Sequence, residues 1–244
     1  MRRFFISSLL APEMVITGDD VRHIGRVLRM QPGDKCVAVA TDGRSAVAKI
    51  KTITANEVVL ELETIIIEDK EPIIRVVLVQ GLPKSDKMDY IVQKAVELGI
   101  SSIIPLAADR SVVQYHGAKA IARIERWQKI AAEAAKQCRR SRIPQIANIQ
   151  KISEILPSFD DDAEIIMLYE GQTISALRTV LTDLKAQTVV LLIGPEGGFS
   201  NEEVILATQH GASIVTMGPR ILRTETAAIA AVSAVMYACG DLGG

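Results

Sequence analysis

The sequence predicts an α/β protein with a small N-terminal β-rich module and a larger domain built on a parallel sheet. Short β-leaning runs fill the first 70 residues, whereas the remainder alternates short apolar runs with helical segments. The chain has 244 residues, of which 48% are apolar and 23% charged. This length and composition are typical of a folded protein that buries a substantial core.

The N-terminal module is expected to contain one helix and several antiparallel strands. Residues 18–30 show apolar side chains at helical spacing. The buried face of that helix is predicted to hold Val21, Ile24, Val27 and Leu28. Residues 35–40 and 45–50 are β-leaning runs joined by Asp42-Gly43, a strong hairpin turn pair, and residues 57–67 form a third such run.

A charged stretch with a proline, residues 68–72, interrupts the β pattern and predicts a domain boundary near residue 70. We therefore expect domains at residues 1–70 and 71–244. Beyond the boundary, short apolar runs predict strands that are covered on both faces. These strands are expected at 73–80, 102–106, 164–168 and 189–193, and helices at 87–98, 119–140, 175–184 and 201–210.

The turn after the last of these strands is the most informative segment. It reads Gly194-Pro195-Glu196-Gly197-Gly198, and Ser200 with Glu203 forms a capping-box pattern that starts the next helix. Ligands in open α/β sheets bind at the carboxyl ends of strands. A strand-to-helix turn without a ligand is the alternative, but three glycines and a proline in five positions favour a binding site.

A second cluster, residues 217–227, follows a short strand predicted at 213–216. Thr224 is expected to cap the next helix, but Arg220 and Arg223 oppose the helix dipole, which favours a functional role. Residues 227–238 of that helix are almost all small and apolar. Core packing and a homodimer interface both explain this composition.

Residues 119–142 carry eight Lys or Arg against two Glu, which suits either RNA phosphates or a solvated helix face. The basic face is predicted to hold Arg126, Lys129, Lys136 and Arg140. The buried face is predicted to hold Ile124, Trp127, Ala131, Ala134 and Cys138.

Several classes of site are not expected. The three cysteines are far apart, the three histidines are isolated, and neither a phosphate loop nor a dinucleotide glycine motif occurs, so we predict no disulfide and no metal. The apolar run at the N-terminus is too short for a signal peptide, and no run could span a membrane. We expect a cytoplasmic protein.

Several of these motifs, in one order along nearly the whole chain, resemble the RsmE-type ribosomal RNA uridine-N3 methyltransferases of the SPOUT superfamily. The resemblance rests on Arg2-Arg3-Phe4-Phe5, His23, Arg26-Val27-Leu28-Arg29, Lys84 and Lys87 with residues 93–99, Asp109-Arg110-Ser111, Arg126-Trp127, residues 133–138 with Arg142-Ile143-Pro144, and residues 193–200 and 218–227.

The resemblance implies a fold and an activity that composition does not. It implies a PUA-like β-barrel over residues 1–70, a SPOUT α/β domain with a C-terminal trefoil knot over residues 71–244, and a homodimer. The implied reaction is methyl transfer from S-adenosylmethionine to N3 of a specific uridine in small-subunit (16S) ribosomal RNA.

Three sets of site residues are expected from this resemblance, from the reaction it implies and from the basic residues of the chain. The cofactor set is Leu168, Tyr169, Glu170, Ile193, Gly194, Pro195, Glu196, Gly197, Gly198, Met217, Gly218, Ile221, Leu222, Arg223, Thr224 and Thr226. For catalysis we hypothesise that Arg223 orients the base or its phosphate and that Glu225, or Glu196, helps to remove the N3 proton. The RNA set is Arg2, Arg3, His23, Arg26, Arg29, Lys84, Lys87, Arg110, Arg126, Arg139 and Arg142.

Two other functions use the same features. A non-catalytic RNA-binding or ribosome-assembly factor would bind RNA without depending on a cofactor. An enzyme acting on a small nucleotide or phosphate at the glycine turn would be insensitive to salt and would not retain RNA.

Overall fold

A computed structural model describes residues 1–67, 70–171 and 175–243. Glu68 and Asp69, in the charged stretch that predicts the domain boundary, lie outside these residues, as does Gly244 at the end of the predicted second domain. The chain divides into two compact units. The first comprises Met1–Glu71 and Ala135–Ile143, and the second comprises Pro72–Ala134 and Pro144–Gly244.

The first unit is built on a five-stranded sheet. Its strands are β1 (Arg3–Phe5), β2 (Glu13–Thr17), β3 (Lys35–Val39), β4 (Ser45–Ile53) and β5 (Glu57–Ile66). They lie in the order β1-β3-β4-β5-β2, and every pair is antiparallel except β1 with β3. The predicted β runs and the turn at Asp42-Gly43 are confirmed, and Gly43 has the positive φ of 88° that a tight hairpin turn requires.

The helical segment of this unit is shorter than the predicted 18–30, and one side chain of its predicted buried face is exposed. Helix α1 (Asp19–Arg22) continues as a π-helical turn, His23–Val27, in which the backbone N–H of Leu28 donates to His23 O at 2.9 Å. Ile24 is buried as predicted, but Val27 is 66% exposed. The prediction for Val27 is wrong because the wider π turn rotates this side chain away from the core.

Residues 135–143 are held to the rest of the first unit by ion pairs. The guanidinium of Arg140 is 2.5 Å from Glu71 Oε2, and Lys136 Nζ is 2.8 Å from Asp20 Oδ1. Helix α3 (Ala118–Gln137) ends before Arg140, which is only 5% exposed. The predicted basic face is therefore wrong for Arg140, which lies in a buried ion pair rather than on a solvated helix surface.

The second unit is built on a seven-stranded sheet, and the predicted parallel arrangement is confirmed. Its strands are β6 (Arg75–Gly81), β7 (Ser102–Leu106), β8 (Gln145–Ile146), β9 (Glu164–Leu168), β10 (Ser175–Ala176), β11 (Thr188–Ile193) and β12 (Ser213–Thr216). They lie in the order β10-β12-β9-β11-β6-β7-β8, and all pairs are parallel.

Helices lie between these strands, and the last helix follows β12. They are α2 (Lys87–Glu97), α3, α4 (Ile152–Ile155), α5 (Leu177–Thr182), α6 (Asn201–Gln209) and α7 (Thr224–Ala238). The helix predicted at 175–184 starts two residues late, because Ser175 and Ala176 pair with β12 instead. On α3, Trp127, Ala131 and Ala134 are buried as predicted and Ile124 is only partly buried, as is Cys138 just beyond the helix end.

Helix α7 is largely buried, as its small apolar side chains predict. Ala228, Ala231, Val232 and Val235 are inaccessible, and the helix packs against α2, β6 and β11. Within the described residues, no helix is both long enough and apolar enough to cross a membrane.

Candidate functional site

A cavity of about 860 Å³ opens where β9, β11 and β12 end. Parallel strands bring their carboxyl ends to one edge of the sheet, so the loops that follow them meet there. Residues 168–171, 193–199 and 215–224 form most of the wall, and Lys87, Arg110 and Ala227 complete it. A volume of several hundred cubic ångströms suits a small-molecule ligand.

The cavity brings together most of the residues that the resemblance implied. Every member of the predicted cofactor set lines it except Thr226. Of the predicted catalytic residues, Arg223 and Glu196 line it and Glu225 does not, while Lys87 and Arg110 of the predicted RNA set also face it. Pro219 and Arg220, inside the second cluster predicted from the sequence, also line it, whereas the sequence reasoning missed Gly171, Phe199, Val215, Thr216 and Ala227. Most of the missed residues are sequence neighbours of predicted ones.

The glycine turn is held by the predicted capping box. Ser200 Oγ accepts from the backbone N–H of Glu203 at 3.2 Å, and Glu203 Oε2 accepts from the N–H of Ser200 at 2.8 Å. Gly198 adopts φ of 67°, a conformation that favours glycine, and its N–H donates to Pro195 O at 2.9 Å. The start of α6 and the turn therefore form one rigid unit.

Two further glycines are required by close backbone approach. A Cβ atom at Gly81, the last residue of β6, would lie 2.5 Å from the backbone nitrogen of Pro195. A Cβ atom at Gly197 would lie 2.8 Å from the carbonyl oxygen of Arg110. The glycine turn thus touches both the end of β6 and the loop that carries Arg110.

Thr224 does not cap α7, contrary to the sequence prediction. Arg223 occupies the cap position and makes no side-chain cap bond. The Thr224 hydroxyl instead donates to Gly194 O at 2.6 Å and accepts from Gln80 Nε2 at 2.9 Å. The hydroxyl therefore joins the start of α7 to the glycine turn, the two segments that form most of the cavity wall.

Lys87 lies between two of the proposed acid–base groups. Its ammonium donates to Glu196 Oε1 at 2.8 Å and is 3.3 Å from Glu225 Oε2, an ion pair outside hydrogen-bond geometry. Glu196 also accepts from the backbone N–H of Lys84 at 3.2 Å.

These contacts change the acidity of the groups. Burial raises the pKa of Glu196, but the hydrogen bonds from Lys87 and from backbone N–H groups outweigh it, so the pKa falls below its ordinary value. The hydrogen bond to Glu196 in turn raises the pKa of Lys87. Both groups are therefore held in their charged forms.

A second polar cluster fixes the loop that carries Arg110. Glu203 Oε1 accepts from the N–H of Asp109 at 3.1 Å, and Ser200 Oγ donates to Asp109 Oδ2 at 2.7 Å. Burial raises the pKa of Glu203 above its ordinary value, although backbone hydrogen bonds from Ser200 and Asp109 oppose the rise. Arg110 is thus placed against the cavity by the helix cap of α6.

The predicted RNA residues fall in both units. Arg2, His23, Arg26, Arg29, Arg139 and Arg142 are exposed on the first unit, where Arg3 is partly buried and donates to Arg140 O at 3.0 Å. Lys84, Lys87, Arg110 and Arg126 lie on the second unit, where Arg126 Nε donates to Asp89 at 2.9 Å. Among residues 1–67, 70–171 and 175–243, no group of His, Cys, Asp or Glu is arranged to hold a metal ion.

Comparison with protein families gives two matches. Residues 69–236 match an RNA methyltransferase domain, and residues 16–63 match an RNA methyltransferase PUA domain. The chain thus combines a PUA-like domain with a methyltransferase domain whose sheet is parallel.

Individual relatives agree with these matches. Ribosomal RNA small subunit methyltransferase E of Bacillus subtilis is 36% identical over 97% of this chain and 96% of its own length. The crystal structure of the Neisseria gonorrhoeae protein of that name, bound to S-adenosyl methionine, has a TM-score of 0.89 and 29% identity and covers all of both chains. A putative methyltransferase from Legionella pneumophila, in complex with the same cofactor, has a TM-score of 0.87 and 28% identity over 97% of each chain. The resemblance stated from the motifs is confirmed, and the chain belongs to the RNA methyltransferase family that contains ribosomal RNA small subunit methyltransferase E.

Proposed function

We propose that this protein transfers a methyl group from S-adenosylmethionine to N3 of a specific uridine in small-subunit (16S) ribosomal RNA. The observation that carries the proposal is the cavity, because three segments distant in sequence meet there and include every predicted cofactor residue except Thr226. The cofactor-bound relatives from Neisseria and Legionella support the choice of ligand.

The lining of the cavity fits this cofactor. Leu168, Ile193, Met217 and Leu222 supply apolar surface for an adenine ring and for methylene groups. The glycine turn and residues 217–222 supply backbone N–H and C=O groups for the polar edges of the cofactor. These residues would hold the cofactor, and when bound it supplies an electrophilic methyl group on a sulfonium.

The chain's own residues then position the uridine. Its N3 attacks the methyl carbon, the N–C bond forms as the C–S bond breaks, and the N3 proton is lost. An aligned approach supplies much of the acceleration, and Arg223, exposed at the cavity wall, is placed to orient the base or its phosphate. N3 lies on the Watson–Crick edge, so the target must be unpaired or flipped out.

Glu196 is the carboxylate that we favour as the N3 proton acceptor. It lines the cavity, whereas Glu225 does not and has its Oε2 buried beside Lys87. The hydrogen bonds that lower the pKa of Glu196 keep its carboxylate ionised and so able to accept a proton, although they also make it a weaker base.

The RNA-facing surface and the domain organisation are part of the same proposal. We assign residues 1–70 to a PUA-like β-barrel that binds RNA and residues 71–244 to a SPOUT domain. The RNA contacts would be Arg2, Arg3, His23, Arg26, Arg29, Lys84, Lys87, Arg110, Arg126, Arg139 and Arg142. All of these residues except His23 carry a guanidinium or an ammonium, which suits phosphate contact.

The resemblance also implies a knotted chain, an oligomeric state and a location in the cell. We propose a trefoil knot formed by the C-terminal segment, a homodimer, and a cytoplasmic location beside the ribosome. In the sheet, β11 lies between β6 and β9, so the connection from β11 to β12 passes β9.

The test incubates the purified protein with methyl-labelled S-adenosylmethionine and small ribosomal subunits from cells that lack this activity. Nuclease digestion and mass spectrometry then locate the label. We expect label on uridine N3 at one site. Label elsewhere would contradict the assigned base, and RNA binding without label would support a non-catalytic RNA-binding factor instead.

A further inference from the structure

A glutamine lies in the buried part of the central sheet of the second unit. Gln80 is the penultimate residue of β6, which pairs with β7 and β11, and none of its surface is accessible. The four preceding residues of the strand are all apolar. Burying an amide costs free energy unless its hydrogen bonds are made, so this position calls for an explanation.

The hydrogen bonds of Gln80 settle the direction of the hydrogen bonds that link it to Thr224 and Gly194. Its Nε2 carries two donors, of which one goes to Gly81 O at 2.9 Å and the other to Thr224 Oγ1 at 2.9 Å. With Gln80 donating to it, the Thr224 hydroxyl has its own proton free to donate to Gly194 O at 2.6 Å. The direction of each bond follows from the one before.

The other end of the amide shows that stability alone does not explain this residue. Gln80 Oε1 is buried and has no hydrogen-bond partner among the described residues. A buried acceptor without a donor is destabilising. An apolar side chain would avoid that cost but would leave the Thr224 hydroxyl without the donor that orients it.

We propose that Gln80 is a positioning residue for the cofactor cavity. Its amide fixes the Thr224 hydroxyl on Gly194 O and thereby joins the start of α7 to the glycine turn, the two segments that form most of the cavity wall. Gln80 does not line the cavity itself and acts through Thr224. The inference rests on the proposed function, because it takes S-adenosylmethionine to be the ligand of that cavity.

Two replacements of similar size separate positioning from packing. Gln80→Met keeps the volume and removes both donors, so the hydroxyl is no longer oriented by a neighbour. In Gln80→Glu, the ionised carboxylate can only accept, so the Thr224 hydroxyl donates to it and no longer to Gly194 O. The second carboxylate oxygen then faces Gly81 O, and no hydrogen lies between these two acceptors. A protonated carboxyl restores one donor, so the Gln80→Glu defect should depend on pH.

The experiment measures cofactor binding and not turnover. Isothermal titration calorimetry with S-adenosylmethionine is run on the full-length protein and its variants from about pH 5 to about pH 8, a range in which a buried Glu titrates. Gln209→Glu, at an exposed position near the end of α6, is the matched control for the added charge. Thermal melting of each variant establishes that the measured protein is folded.

We expect Gln80→Met to weaken the cofactor several-fold to about tenfold, the cost of one lost hydrogen bond. Gln80→Glu should weaken it more at pH 8 than at pH 5 relative to the wild type, and Gln209→Glu should match the wild type throughout. Gln80→Met combined with Thr224→Val should lose no more affinity than Thr224→Val alone, because both act on one contact.

The possible failures are distinguishable. If the wild-type protein does not bind S-adenosylmethionine, the proposed function fails and the inference with it. If the wild type binds but Gln80→Met and Gln80→Glu both bind the cofactor as tightly as the wild type at every pH, the positioning role is wrong and the proposed function stands. The same holds if the double variant loses as much affinity as the Gln80→Met and Thr224→Val losses added together. If Gln80→Glu does not fold, the comparison of Gln80→Met with Thr224→Val decides the question.

Discussion

The ammonium of Lys87 lies 2.8 Å from Glu196 Oε1, so the first residue of α2 is tied directly to the glycine turn at the cavity wall. From the sequence, Lys87 is predicted to contact RNA. In the structure its charge already has a partner, and the same ammonium is also 3.3 Å from Glu225 Oε2. Lys87 therefore links α2, the turn and the start of α7.

Replacing Lys87 with Met should lower stability only over a defined range of pH. Because the pKa of Glu196 is lowered on folding, the ionised carboxylate stabilises the folded protein at pH values above the ordinary Glu pKa of 4.5. This stabilisation is lost as the pH falls through the folded pKa. The raised pKa of Lys87 contributes stability below the ordinary Lys value of 10.5, lost as pH rises through the folded pKa. We expect a loss of about 0.5–1 kcal/mol between these values.

Urea unfolding at several pH values checks this prediction. The difference between the wild type and Lys87→Met should be constant near neutral pH and shrink in acid. Lys84→Met is the matched control, because only the backbone of Lys84 contacts Glu196. A difference that persists undiminished well below the folded pKa of Glu196 would contradict the ion-pair account.

Replacing Gly81 with Ala should displace the glycine turn that forms part of the cavity wall. The new Cβ would be 2.5 Å from the backbone nitrogen of Pro195, and backbone cannot move aside as a flexible side chain can. We expect a loss of about 1–3 kcal/mol in stability, as in other overpacked cores, together with weaker cofactor binding.

Chemical unfolding and calorimetry measure these two effects. Gly25→Ala serves as the control, because the nearest atom to a Cβ added at Gly25 is 3.9 Å away. Unchanged stability and cofactor affinity in Gly81→Ala would show that β6 and the turn are not in the close contact described.

Glu203 should make the wild type less stable as pH rises through the acidic range. Its folded pKa is above the ordinary 4.5, so folding favours the protonated form, and that preference is lost as pH rises from 4.5 through the folded pKa. Glu203→Gln cannot titrate. The stability of the wild type relative to this variant should therefore decrease over that interval, as followed by thermal melting. A relative stability that increases with pH would contradict the raised pKa.

Glu196→Gln should slow methyl transfer more than Glu225→Gln. Glu196 lines the cavity and Glu225 does not, so loss of the proton acceptor should cost about a hundredfold in rate, the low end for acid–base catalysis. Single-turnover assays with saturating cofactor and RNA measure the chemical step. Equal, full turnover in Glu196→Gln would remove it from the acid–base role, and a larger effect at Glu225 would transfer the role to that residue.

RNA affinity should depend on salt through the exposed basic residues of the first unit. Each of Arg2→Met, Arg26→Met and Arg29→Met should reduce the slope of log affinity against log salt by about one, the effect of one phosphate contact. Lys136→Met is the control, because Lys136 is paired with Asp20 at 2.8 Å. Equal slopes for all four variants and the wild type would contradict the assignment of these arginines.

The sequence predicted the elements of this fold where one local signal dominated. Hydrophobic runs predicted the parallel strands, and the spacing of Ser200 and Glu203 predicted the capping box that the structure confirms. Val27 and Arg140 were predicted wrongly because a π turn and an early helix end changed which side of the chain they face. Neither event leaves a clear local pattern in the sequence.

The site was predicted less completely than the fold, for a related reason. Motifs marked Gly194 and Thr224 separately, but their contact depends on which loops the sheet brings together. Gln80 was read as one more residue of a buried strand, and only its three-dimensional partners show its role. The pairing of Lys87 with Glu196, 109 residues apart, was likewise invisible to spacing arguments.

The most direct test of the central claim is a crystal structure of this protein grown with S-adenosylmethionine. We predict that the cofactor lies in the cavity at the ends of β9, β11 and β12, against the glycine turn and residues 217–222, with the Thr224 hydroxyl still on Gly194 O. A cofactor bound elsewhere on the chain, or an empty cavity at saturating cofactor, would contradict the account.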